Sequence, residues 1–211
     1  MTLFNADPAP KADPKRTANV PRPLAKIEGL AEDAYDKAVA RDFDAVAGAV
    51  AKMELLWTGY RSQAQKDGAS ERLLSALDLA LSALSRAKRE SVPAARAANA
   101  ISASMDELYS LYQPVVPPAI MKLDCLGREL SLDGMENSFS LAASHLETTD
   151  RTWATLEDAL VKAGGDAERA SFNQVLSAMQ KARDDQDGPA LTQAAKTSLE
   201  IVDDIEKVFS H

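Results

Sequence analysis

Catalytic or metal chemistry needs particular side chains in reach of one another, and this chain carries few of them. It has two histidines, His145 and His211, and one cysteine, Cys125. His211 is the last residue. His145 has Leu141, Ala142, Thr148 and Thr149 three and four positions away, so no carboxylate shares its helical neighbourhood. The Glu-x-x-His pairs of di-metal helical bundles are missing. So are the zinc spacings HExxH and CxxC, and the haem-attachment CxxCH. Met53, Met105, Met121, Met135 and Met179 could, with His145, mark a haem or copper site in a bundle core. Methionine at helical spacing is more often flexible core filling, and a single histidine beside an apolar seam is more often structural. No metal and no cofactor is therefore expected.

The densest mixed cluster is Asp124-Cys125-Leu126-Gly127-Arg128-Glu129. Asp124 and Arg128 are one helical turn apart and can pair. Cys125 is the sole thiol nucleophile, with no histidine near it in sequence, so a structural role is expected for Asp124, Cys125 and Arg128. Phosphate loops, nucleophile elbows and paired catalytic carboxylates do not appear. Asp184-Asp185 and Asp203-Asp204 are adjacent pairs whose members point to different helix faces. No mutually consistent acid, base and nucleophile emerges, which argues against an enzyme. The remaining candidates are aromatic. Trp57, Tyr60 and Trp153, with His145, either fill helical cores or line ligand cavities.

The elements that would position these residues follow from periodicity. Phe43, Val46, Val50, Met53, Trp57, Tyr60 and Ala64 recur at spacings of three and four, which draws one seam along a helix. The rhythm returns 96 residues later as Phe139, Ala142, Leu146, Thr149, Trp153, Leu156 and Leu160. At that offset Val20-Pro21 matches Val116-Pro117, Leu30 matches Leu126, Asp42 falls on Ser138 and Gly68 on Gly164. Beyond residue 68 the register slips by one or two. The pattern predicts an all-α fold of about eight helices. It is a tandem duplication of a four-helix unit, giving two stacked or fused antiparallel bundles. Helices are expected near 24–40, 43–66, 71–89, 91–112, 118–132, 136–163, 167–186 and 189–209. Asp42, Ser70 and Ser138 are expected to cap, and Gly68 to close, the helices they adjoin. The units span residues 24–112 and 119–211, and a stiff Pro-rich junction at 113–118 separates them.

Residues 1–23 carry repeated prolines that cannot continue a helix, a composition suited to a semi-rigid tether. No apolar stretch of signal-peptide type follows Met1. One reading is a processed chain whose export signal or lipid-anchored cysteine lay upstream, tethering a periplasmic or otherwise extracytoplasmic body to a membrane. The other is an ordinary frayed terminus on a cytoplasmic protein. The net charge of −8 and the lack of a dense Lys/Arg run argue against nucleic acid. No stretch approaches the roughly 18 apolar residues of a membrane span. The function expected is a non-enzymatic helical binding or interaction module whose ligand or partner is a protein or small molecule. Grooves between its helix pairs suit a peptide or partner helix. The alternative is a bundle that holds a small molecule, haem or metal through His145 and core methionines.

Overall fold

Prolines open several helices of this chain, and left-handed turn residues close most of them. The computed structural model describes residues 19–112, 114 and 116–210. Most of the expected leader, 1–18, and junction residues 113 and 115 lie outside the described residues. The described residues form eight helices and no strands: α1 Arg22–Val39, α2 Phe43–Lys66, α3 Glu71–Ala87, α4 Ser91–Tyr109, α5 Pro118–Glu136, α6 Phe139–Lys162, α7 Asp166–Asp184 and α8 Gly188–Phe209. Proline stands in the first two positions of α1, α5 and α8, where the missing amide proton would have had no intrahelical partner.

The turns repeat at the offset seen in the sequence. Gly68 ends the α2 hairpin at φ 105° and Gly164 ends the α6 hairpin at φ 92°, a region open to glycine. Between α1 and α2 the left-handed residue is Arg41 at φ 62°, and between α5 and α6 it is Asn137 at φ 54°. Asparagine tolerates that conformation well, and arginine less so. Asp42, Ser70 and Asp187 accept from the amides of Ala45, Leu73 and Ala190, so each caps its helix. Ser138 does not: it occupies the N-cap of α6 without a side-chain cap bond. Its backbone resembles that of Asp42, but its hydroxyl oxygen sits one bond closer to the main chain than a carboxylate oxygen does.

Two units result, α1–α4 and α5–α8. In the first, α1 packs on α2 and α4, and α3 packs on α4 and, over a shorter stretch, on α2. In the second, α5 packs on α6 and α8, and α7 packs on α8 and, over a shorter stretch, on α6. Each is a ring of four neighbouring helices. Both seams face inward: Val46, Val50, Met53, Trp57, Tyr60 and Ala64 are buried in the first unit, and Ala142, Leu146, Thr149, Trp153, Leu156 and Leu160 in the second. The leading phenylalanines, Phe43 and Phe139, are half-buried.

The α5 and α8 backbones approach closely through glycines. A Cβ placed on Gly134 would lie 2.7 Å from the Gly188 carbonyl oxygen and 2.7 Å from the Thr192 amide nitrogen. One on Gly127 would lie 2.6 Å from the Leu199 side chain. Gly134 is thus part of the helix rather than its terminator. As a consequence α5 continues one turn beyond the expected end at residue 132, and that turn carries Asp133.

Candidate functional site

Trp57 sits on the α2 seam with its ring edge reaching α3. Its indole Nε1 donates to Asp78 Oδ1 at 2.6 Å. The other carboxylate oxygen of Asp78 accepts from Arg61 Nε at 3.0 Å, one turn along α2, and Arg61 Nη2 donates to Glu71 Oε1 at 2.9 Å. Glu71 first, and then Asp78, hold the Arg61 guanidinium more firmly in its charged form than an isolated arginine. This ladder spans the short α2–α3 contact. Beside it lies an open groove of about 320 Å³. Buried Trp57 and Leu81 form its floor, while Glu54, Thr58, Ser82, Ser85 and Arg86 line it together with Asp78. The most exposed large apolar residues of α2 and α3, Leu55 at 76% and Leu79 at 67%, adjoin the lining residues Glu54 and Asp78 in sequence.

The second unit makes the same connection with different groups. Trp153 Nε1 donates to Asn173 Oδ1 at 2.7 Å, and Asn173 Nδ2 donates to Glu157 Oε1 at 3.3 Å. Trp153 also packs on Phe172 of α7, with ring centroids 4.3 Å apart and planes tilted by 35°. Both tryptophans are buried core residues with one polar edge tied to the next helix, and Trp57 borders a groove as well.

Tyr60 is also buried, and its hydroxyl is engaged. Tyr60 and Tyr112 approach within 2.7 Å at their hydroxyls, and both donate to Asp67 Oδ2, at 2.9 and 2.6 Å. Burial is the main cause that pushes Tyr60 up to about 12 and raises Tyr112 further. The cluster locks the ends of α2 and α4 together and places Tyr60 away from solvent chemistry. Asp124 and Arg128 pair at 2.7 Å with side chains only 18% and 11% exposed, so theirs is a largely desolvated pair. Cys125 is buried between them in sequence.

His145 faces a partner that its own helix does not supply. Its Nδ1 lies 2.6 Å from Asp133 Oδ2 on α5. Of the methionines, Met53 and Met105 are buried in the first unit, Met179 is buried on α7, Met121 is half-buried on α5, and Met135, expected in a core, is 42% exposed. Trp57 and Trp153 are recognisable as matched positions from sequence, and Asp78 and Asn173 follow by extending the offset with its one-residue slip. Asp133 is different: only the packing of α5 on α6 brings it to His145. No family model, curated protein or solved structure matches the chain.

Proposed function

We propose that this chain is a non-enzymatic binding module whose α2–α3 groove seats an amphipathic segment of a partner protein, with an apolar stripe and a basic flank. The supporting observation is the groove itself: an open channel floored by Trp57 and Leu81, formed by the two helices that carry exposed Leu55 and Leu79. A segment seated there in helix-in-groove fashion would extend its apolar stripe past the channel onto Leu55 and Leu79, which adjoin the lining residues in sequence without lining the channel themselves. The basic flank follows from overall charge. The groove lining itself is mixed, with Glu54 and Arg86 beside an Asp78 already paired to Arg61, but the chain as a whole carries −8, which steers a cationic partner toward it. Asp78 is already held by Trp57 and Arg61, an arrangement suited to a shaped surface rather than to proton transfer.

Site-specific photo-crosslinking tests this reading. A photoreactive residue placed at Leu55 or Thr58 should capture one partner segment of that composition. Leu79→Asp should abolish the adduct, and a photoreactive residue at exposed Ala170 should give none. Failure to obtain a Leu79-dependent adduct, or capture of an acidic segment, overturns it. We also propose that the module works outside the cytoplasm on its proline-rich leader. Support for this is compositional only. Mass spectrometry of the N-terminus from cells tests it, and an unprocessed, unmodified Met1 in a cytoplasmic fraction is the result against it.

A further inference from the structure

The α5–α6 side of the second unit gathers three side chains that the groove reading does not use. Glu129 and Asp133 stand one turn apart on α5, and His145 faces them from α6. One ligand atom from each lies within 4.8 Å of the other two. The Asp133 side chain is fully buried and the His145 side chain is 12% exposed. Glu129 is half-buried, so the cluster opens toward solvent on its side.

We propose that Glu129, Asp133 and His145 form a binding site for one divalent transition-metal ion of the Mn²⁺, Fe²⁺ or Zn²⁺ class. One imidazole and two carboxylates are a borderline-to-hard donor set, which suits these ions and not a soft cuprous ion. Three protein ligands from two adjacent helices occupy one side of the coordination sphere and leave the other to water. The spacing fits with a small adjustment. Ligands about 2.1 Å from a metal at right angles lie about 3 Å apart. The Asp133–His145 pair, now 2.6 Å apart through a shared hydrogen bond, would open by a few tenths of an ångström. Glu129, on the half-exposed side, would swing in by a side-chain rotation. The ion would take the place of the proton between His145 and Asp133, because metal ligands must be deprotonated. Its positive charge would also be attracted by two carboxylates held one turn apart.

The duplication supplies an internal comparison. At the 96-residue offset, Glu129 corresponds to Asp33, but Asp133 corresponds to Lys37 and His145 to Ala49. The first unit therefore has a cation where the second has the buried acid, and no imidazole. Two positions distant in sequence but adjacent in space differ together, as a site confined to one copy requires.

The test uses the full chain, freed of metal with a chelator and dialysed. Isothermal titration with MnCl₂ and with ZnCl₂, checked by elemental analysis, should show about one saturable site. Glu129→Gln, which alters a half-exposed side chain and should leave the fold intact by circular dichroism, should weaken it about tenfold or more. His145→Ala should abolish it, while Asp33→Asn in the first unit should leave it unchanged. No saturable binding of either ion, or binding that survives Glu129→Gln and His145→Ala undiminished, overturns the proposal. Crosslinking at the groove is run in the presence of chelator, so the two readings fail independently.

Discussion

Arg61 and Asp78 stand in the first unit where Glu157 and Asn173 stand in the second, and the exchange keeps a hydrogen bond between the two positions while reversing the charge at one and removing it at the other. In the first unit a carboxylate accepts from both the indole and a guanidinium. In the second an amide accepts from the indole through its oxygen and donates to a carboxylate through its nitrogen. Swapping one member alone breaks the logic. Arg61→Glu would place a third carboxylate beside Asp78 and Glu71 and should lower the denaturant midpoint, by a small amount because solvent screens these partly exposed groups. Adding Asp78→Asn should restore most of that loss, because the amide can then donate to the carboxylate introduced at position 61, as Asn173 donates to Glu157. A double-mutant cycle by denaturant unfolding measures the coupling. If the double variant is no better than the sum of the singles, the two units do not share this arrangement in any energetic sense.

At the scale of the helices, glycine substitution separates two roles. Gly29, Gly48 and Gly59 lie in helix interiors where an added Cβ meets nothing within 4 Å. Changing Gly48 or Gly59 to alanine should stabilise the first unit by roughly 0.5–1 kcal/mol each, through backbone entropy. Gly134→Ala should do the opposite. Its Cβ would strike main-chain atoms of α8, which cannot rotate away, so α5 and α8 must part at a cost of about 1–3 kcal/mol. Thermal unfolding of these variants reads the contrast, and a stabilised Gly134→Ala would refute the close α5–α8 approach. The same glycine explains what the sequence conceals. Seam rhythm, prolines and the 96-residue offset make eight helices, the positive-φ glycines and two inward tryptophans legible without coordinates. Asp133-Gly134 resembles a helix stop, so the last turn of α5 and its buried acid are hidden. The Asp133–His145 approach depends on how α5 packs on α6, which no spacing within one helix encodes. The uncapped Ser138 misleads for a simpler reason, since residue type predicts a cap only when its oxygen reaches the amide.

Across the whole chain, polar burial is divided unevenly between the two units, and pH should expose the division. All four tyrosines, Tyr35, Tyr60, Tyr109 and Tyr112, fall in the first unit and are buried there. Where the second unit aligns with Tyr60 and Tyr112 it has Leu156 and Phe209, so the hydroxyl cluster on Asp67 has no counterpart. Burial raises Tyr60 to about 12, and burial also raises Tyr109, next to Glu28, and Tyr112, next to Asp67. A folded pKa above the unfolded value means that the native state keeps protons the unfolded chain has released. The stabilisation is therefore fully present below about pH 10, the unfolded tyrosine value, and is lost as pH rises through the folded values. Lysines titrate in the same range but occur in both units, so the tyrosine contribution appears as a difference between them. Trp153→Phe leaves Trp57 to report on the first unit, and Trp57→Phe leaves Trp153 to report on the second. Between about pH 9 and about pH 11, the denaturation midpoint seen by Trp57 should fall further than that seen by Trp153. Tyr112→Phe, which removes one of the raised hydroxyls, should narrow the gap. Equal losses at both tryptophans would mean that the buried phenols contribute nothing specific to the first unit.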